Sequence, residues 1–555
     1  MVEREFCKLD VAGSIPAAGS TSLGNLPLMT PQKILGSASG VGLMTLLSRF
    51  TGLLQSMFLA HFLGAGPAAD AFAVAFRLPN LFRRFTAEGT MSAAFVPTLT
   101  ETEAAEGHEA AVRTGIFFLG TLTLLLTFVV MGVMLFMNPL TGWLTMGRDA
   151  SQHDLTTLLA RIMFPYLVLV SLTAGMAGLL NFKGKFILAA SVSIFWNLAF
   201  MVFAGWMIIT IKATGRELME SQVALICAQA VLVGGVVQLA VLLPSAFRIG
   251  FRFRPGLHFK NPWVLKALKR MAPGLITAGI YPINVLVSTA LASRLPEGAQ
   301  VVLFNSGMMS EMILGLFAMS IATVSLPALA RMAEEKNMIG VNDTIATSLS
   351  GASLMCIPAS IGLALLAGPI ISMIFYTGAY SLSAVQWTAS TLVFQCVGIL
   401  FISTQRIGTQ ALYAFKDYRG AMISASISLV SNIALSLWLI QPLGTQGLAL
   451  ANGLSSLIGV VVLLVRLPRH TQSFPYGRVL RSWGRYGVAG LVMGFCVRAL
   501  DQSFVHLSLE QPRLALVAGV LPLVLVGALI YFGLLLVMKD PLAKQLRNQL
   551  TQRFR

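Results

Sequence analysis

The chain has 555 residues, 56% of them hydrophobic and 11% charged, and its mean hydropathy is +0.78. That balance excludes an ordinary soluble domain, in which roughly a quarter of the residues are charged. The formal net charge of +17 raises nucleic acid as a partner, but the cations fall between apolar runs, where they anchor topology and face the anionic membrane leaflet. In chain order, residues 1–28 hold no continuous apolar core, so they are not a secretory signal. They read as a disordered stretch, or as sequence ahead of a true start at Met29. Apolar runs of about 20 residues then predict helices over 35–64, 68–100, 112–138, 155–181, 186–211, 220–246, 264–292, 299–330, 345–376, 385–413, 419–440, 444–466, 480–500 and 514–538. The predicted fold class is an all-α polytopic membrane protein of about fourteen transmembrane helices.

Lysine and arginine set the orientation. With the N-terminus inside, 23 cations fall in inner loops and the tail and 6 in outer loops, which predicts an N-in, C-in chain. The stretch Arg248 to Arg270 carries seven cations and no carboxylate. It divides a six-helix lobe over 29–247 from a second over 263–470, with 248–262 as a basic cytoplasmic linker; 471–555 adds two helices and a basic tail. The motifs Phe95-Val96-Pro97-Thr98-Leu99 and Ser325-Leu326-Pro327-Ala328-Leu329 are expected to close the second and eighth helices, six apart. Such an offset fits a parallel duplication of six-helix units.

The charges inside apolar helices are the candidates for function, because a guanidinium near a bilayer centre costs roughly 3 to more than 10 kcal/mol. Arg49 lies in the first helix, and Asp70, Arg77, Arg83, Arg84 and Glu88 in the second. A hairpin folding near residue 66 would bring Arg49 and Arg83, each 17 residues away, to one depth. Arg84 and Glu88 have the (i, i+4) spacing of a self-neutralising pair, which stands as one reading beside a cavity role. Asp70 either caps its helix or gates an outer mouth. Glu311 is the acid of the eighth helix and a candidate bridge to the first lobe, whereas Arg161 and Arg406 are expected at helix margins. Pro79, among Arg77, Asn80 and Arg83, points to a polar cavity where its unpaired carbonyl is met. Paired guanidiniums suit a diphosphate, since their planar donors match its oxygens and their charge survives burial.

An intramembrane enzyme would need a nucleophile, an acid–base pair or a metal set, and the chain offers too few such groups. Histidines fall in loops or helix margins apart from His61, and the five cysteines are scattered without disulfide or metal spacing. No catalytic residue, metal ligand or cofactor is assigned.

These residues carry a family resemblance. SRFTG at Ser48–Gly52, then GAGPAADAF, FRLPNLFRRFTAEG and FVPTL, resemble the first two helices of the MviN/MurJ lipid II flippases of the MOP exporter superfamily. FPY at Phe164–Tyr166, the spacing from Asn181 to Phe186, and Tyr413-Ala414 with Asp417 are similar to that family's later marks. The resemblance implies an inner-membrane transporter with two six-helix lobes around a cationic cavity. It would carry the undecaprenyl-diphosphate-linked peptidoglycan precursor from inner to outer leaflet by alternating access, with membrane lipids as its other partners. Cavity residues map by motif onto Arg49, Asp70, Arg83, Arg84, Glu88 and Glu311. The chain departs from the pattern at Gln55-Ser56, where the family commonly has Arg-Asp, and at Met308, where a further arginine is expected. The positions that bind sodium in some members match Ser288, Asn432 and Ser436, without carboxylates, so the resemblance implies no sodium site here. Two alternatives remain: another MOP-type exporter of a lipid-linked oligosaccharide or drug, and a non-transporting scaffold that recruits cell-wall synthesis proteins through its basic loops.

Overall fold

A computed structural model describes residues 31–86, 90–278, 280–471 and 474–553. Residues 1–28 and Glu88 lie outside the described residues, as does the side chain of Arg84. Every regular element among the described residues is helical.

The first half of the chain forms α1 (Pro31–Leu63), α2 (Pro67–Thr86), α3 (Thr90–Glu106), α4 (His108–Leu135), α5 (Met137–Leu144), α6 (Ala150–Met163), α7 (Tyr166–Phe182), α8 (Phe186–Ala213) and α9 (Glu220–Arg248). After the linker come α10 (Pro262–Ala278), α11 (Ile280–Ala292) and α12 (Ala299–Ile313). A five-residue π turn over Leu314–Ala318 leads into α13 (Met319–Glu334). The chain continues as α14 (Met338–Leu365), α15 (Ala367–Phe375), α16 (Leu382–Cys396), α17 (Ile399–Ala414), α18 (Tyr418–Arg466), α19 (Pro468–Thr471), α20 (Tyr476–Leu500), α21 (Arg513–Val537) and α22 (Pro541–Arg553).

Local chemistry sets many of these boundaries. Side chains accept first-turn N–H groups at Asp149 for α6, Asn337 for α14, Ser381 for α16 and Asp417 for α18, which removes orphan donors that lipid cannot solvate. Pro165 separates α6 from α7, because proline lacks the N–H that would continue the ladder.

All fourteen apolar segments lie in or across these helices, but ten helices among the described residues are long and apolar enough to cross a membrane, or eleven with a bent pair. The two numbers differ in how segments are divided among helices. Gly444 (φ 57, ψ −129) breaks α18 internally, between the two expected spans 419–440 and 444–466. The segment 68–100 is shared between α2 and α3, and α16 and α17 meet at a bend of 49°. The Pro-X-Leu motifs also differ from expectation: Pro97 and Pro327 lie inside α3 and α13, which run on to Glu106 and Glu334.

α1 packs along α8, and α2 packs against α6. The first two helices are therefore not a tight hairpin, and each has its own supporting helix. In the second half, α17 packs on α18, α11 on α18 and α12 on α16, while α20 and α21 lie against α14 and α15. A continuous apolar core, from Ala60 and Phe72 through Phe200 to Val385 and Ile399, includes residues of both halves.

Candidate functional site

Cross-half contacts gather at the end of the bundle that carries the α1–α2 turn, here termed the rim. Asp70 stands one turn into α2 with its side chain fully buried. Its Oδ2 accepts from the Arg148 guanidinium at 3.0 Å and from the Gly298 N–H at 2.8 Å, and its Oδ1 accepts from the Val301 N–H at 2.9 Å. Gly298 precedes α12 and has no side chain with which to cap it. Asp70 is thus the N-cap of a helix 228 residues further along the chain, where the helix dipole favours an anion. The carboxylate does not cap its own helix, the first of the two sequence readings; it caps a helix of the opposite half.

Further contacts surround this clamp. Arg148 also donates to the Pro296 carbonyl at 3.2 Å, Ser293 Oγ to Met146 O at 2.6 Å, and Gln300 Nε2 to Leu144 O at 3.3 Å. On the other side of the rim, the Ala379 N–H donates to His61 O at 3.0 Å and His61 Nδ1 bonds Thr377 Oγ1 at 2.8 Å. The backbones approach so closely that a Cβ on Gly298 would overlap the Ala65 carbonyl, and one on Gly378 would overlap that of His61. Both glycines have positive φ, 89° and 53°, a region that L side chains resist.

Deeper in the bundle lie the arginines. Arg49 reaches from α1 to α12, where its Nη1 donates to Met312 O at 3.3 Å. Its guanidinium rests where a Cβ on Gly315 would sit, at the π turn. Arg83 Nε donates to Asn80 Oδ1 at 3.0 Å within α2. Arg49 and Arg83 thus take these partners on different helices. Arg77 bonds Thr289 of α11 and lies 5.5 Å over the Phe304 ring of α12.

Glu311 accepts from Arg406 Nη2 at 2.6 Å, with the two side chains 38% and 23% exposed. This corrects one expectation: Arg406 is not at a margin but within α17, where it pairs with Glu311. Arg148 and Arg406 were not among the candidates for function, and Arg77 was a candidate that the family motif did not map. Arg406 had a signal, since a cation eight residues into an apolar helix needs an anion; Arg148 had none, being one cation of a polar loop.

Among the described residues no cluster of three histidine, cysteine, aspartate or glutamate side chains could hold a metal ion. Asn432 and Ser436 are fully buried and satisfied locally: Asn432 Nδ2 donates to Ser455 Oγ at 3.3 Å, and Ser436 Oγ to Asn432 Oδ1 at 3.4 Å.

At the end opposite the rim, α10 is tied to α3. Arg270 Nη2 lies 2.9 Å and Lys266 Nζ 2.8 Å from the Glu101 carboxylate. Hydrogen bonds from Arg270 first, and then Lys266, hold Glu101 below the usual carboxylate range. Partial burial would raise Asp417, but His470 at 2.9 Å and the Gly420 N–H outweigh it and lower the carboxyl.

Charges in apolar helices and a rim that joins two halves define a polytopic helical transporter. The fold is similar to that of a solved MurJ lipid II flippase in an inward closed conformation, with a TM-score of 0.71 at 22% identity over 90% of this chain and 99% of that one. It is also similar to an inward-facing multidrug MATE transporter of the MOP superfamily, with a TM-score of 0.62 at 14% identity over 77% and 95% of the two chains. Among sequences, the probable lipid II flippase MurJ of Vibrio cholerae is 31% identical over 525 residues, covering 91% of this chain and 96% of that protein. The lipid II flippase MurJ of Burkholderia cenocepacia is 29% identical over 89% and 95%. The family model for lipid II flippase MurJ matches residues 59–513. The chain belongs to the MurJ lipid II flippase family. The two departures noted in its sequence touch each other: Ser56 Oγ lies 3.1 Å from Met308 Sδ, a neutral contact between α1 and α12.

Proposed function

We propose that the protein carries lipid II, the undecaprenyl-diphosphate-linked peptidoglycan precursor, from the inner to the outer leaflet of the bacterial cytoplasmic membrane. The halves 29–247 and 263–470 move as two lobes about the linker 248–262, with both termini inside. The rim is then the outer gate, closed by Asp70, Arg148 and the first turn of α12. Arg49, Arg83 and Arg84 bind the diphosphate, with Glu88 and Glu311 tuning the cationic charge and Asp70 holding the gate. Arg77, on the same helix as Arg83, joins this set.

The observation that carries the reading is Arg49, a cation in an apolar helix whose partner is a backbone carbonyl of the opposite half. A carbonyl is a weak partner that an incoming diphosphate can replace with two charge-assisted bonds. The MATE-like fold leaves a drug exporter as the second reading. Exporters of cationic drugs call for acids in the cavity, whereas the apolar helices here supply arginines. The test is growth of a strain depleted of its own essential flippase. The wild-type gene is expected to restore growth and Arg83→Ala to fail; no rescue by wild type, or full rescue by Arg83→Ala, would overturn the assignment. A scaffold would instead tolerate loss of Arg49 and Arg83 together and fail when the linker cations are neutralised.

A further inference from the structure

The basic linker is built onto the bundle. Thr121 Oγ1 of α4 donates to Gly256 O and accepts from the His258 N–H, both at 3.1 Å. The Phe117 and His258 rings stack at 4.2 Å, and Phe251 is 2% exposed. Gly120 has no side chain, and the Arg254 carbonyl occupies the space a Cβ would fill. Between the start of α4 and this strip lies a pocket of about 400 Å³, with Arg113, Arg252 and Arg254 around an apolar floor that includes Ile116, Phe117 and Ile249.

Among the described residues these three arginines make no ion pair. Glu109 is the one carboxylate lining the pocket, so the local charge stays positive. His108, also on its wall, is engaged by Glu103 and by Lys183 at 3.4 Å. α4 begins at Gly107 without a side-chain cap, which adds free N–H groups on the same side. Phe247, Phe253, Leu257 and Phe259, which flank the lining residues in sequence, have 58%, 44%, 50% and 45% of their surface exposed. A soluble anion has no use for such an apolar flank, whereas an amphiphile does.

We propose that this pocket holds the phosphate headgroup of an anionic phospholipid from the leaflet at that end of the bundle, with the acyl chains lying against the exposed phenylalanines. The volume suits a headgroup, not a whole lipid. Bound there, the lipid bridges α4 to the linker. It extends a brace that α10 already makes through Trp263 Nε1 to Glu106 at 2.6 Å and through Lys266 and Arg270 to Glu101. The site therefore couples lipid composition to the segment that joins the two halves, whatever cargo the protein carries.

The test is native mass spectrometry of the full-length protein in detergent, titrated with phosphatidylglycerol or phosphatidylcholine. Each neutralised arginine is worth about fivefold in affinity for an anionic lipid. The variant Arg113→Gln/Arg252→Gln/Arg254→Gln is then expected to bind phosphatidylglycerol about a hundred-fold more weakly, with phosphatidylcholine unchanged. The charge-matched variant Arg419→Gln/Arg469→Gln/Arg481→Gln, altering exposed cations elsewhere on that end, is expected to retain wild-type binding. Gly120→Leu displaces the linker without changing charge and is expected to lose the lipid as well. Equal loss in both triple variants, wild-type binding by Gly120→Leu, or displacement of phosphatidylglycerol by excess inorganic phosphate would each overturn the proposal.

Discussion

Replacing Asp70 with alanine tests the gate directly. The substitution removes the acceptor for two main-chain donors at 2.8 and 2.9 Å and leaves Arg148, whose side chain is 5% exposed, without its anion. Removing one member of a buried ion pair costs about 3–5 kcal/mol, much of it from stranding the other charge. Each hydrogen bond to a charged group is worth about 1.5–3 kcal/mol, but these contributions share one carboxylate and do not add. A loss of about 4 kcal/mol is about a thousand-fold in the ratio of rim-closed to rim-open molecules. Asp70→Asn keeps one acceptor of similar shape and is expected to fall between. The assay is pulsed electron resonance between spin labels at Arg216 and Ser383, exposed positions in the two halves. A longer-distance population should appear in Asp70→Ala. If the distance distribution stays that of the wild type, the clamp does not hold the rim and the reasoning fails.

Gly378→Ala should open the same rim by a different route, because the added methyl overlaps the His61 carbonyl while φ is 53°; the same label pair checks it. Arg49→Lys is expected to lower flipping in reconstituted vesicles, and Arg49→Ala to lower it further, since a lysine is a point charge without the planar fork that reaches Met312 O and lies against Gly315. For Glu101, the carboxyl sits lower when folded than when unfolded. Its contribution is therefore present above the usual carboxylate range and is lost as pH falls through the lowered value. The melting temperature should drop across that acidic window, less steeply in Glu101→Gln. The effect should shrink with salt, because the side chain is 40% exposed.

Helix positions were legible because a 20-residue apolar run has few alternatives to a helix in lipid. Their division was less so. The break at Gly444 falls between the two spans expected there, whereas the 49° bend between α16 and α17 depends on packing between helices, which hydropathy does not record. The site was legible as a set of costly charges, and Arg49, Arg83, Asp70 and Glu311 are each engaged by polar partners. The partners themselves were hidden. Asp70 reaches main-chain donors 228 and 231 residues away, and any residue can supply a backbone N–H. Arg406 was mistaken for a snorkelling cation because its anion is 95 residues distant. α1 and α2 join at the expected turn, but each leans on another helix, because spacing from a turn does not fix the direction in which a helix packs.

The rim has one more consequence, for kinetics. Where Gly298 faces Ala65 and Gly378 faces His61, the meeting surfaces are main chain. Side chains that interlock must find compatible rotamers each time two surfaces rejoin, and they lose torsional freedom when they do. These two peptide-to-peptide contacts have nothing to search and little left to freeze, which leaves the Asp70–Arg148 clamp as the part of the rim that must find its rotamers at each reclosure. A single added methyl group is enough to jam the peptide contacts.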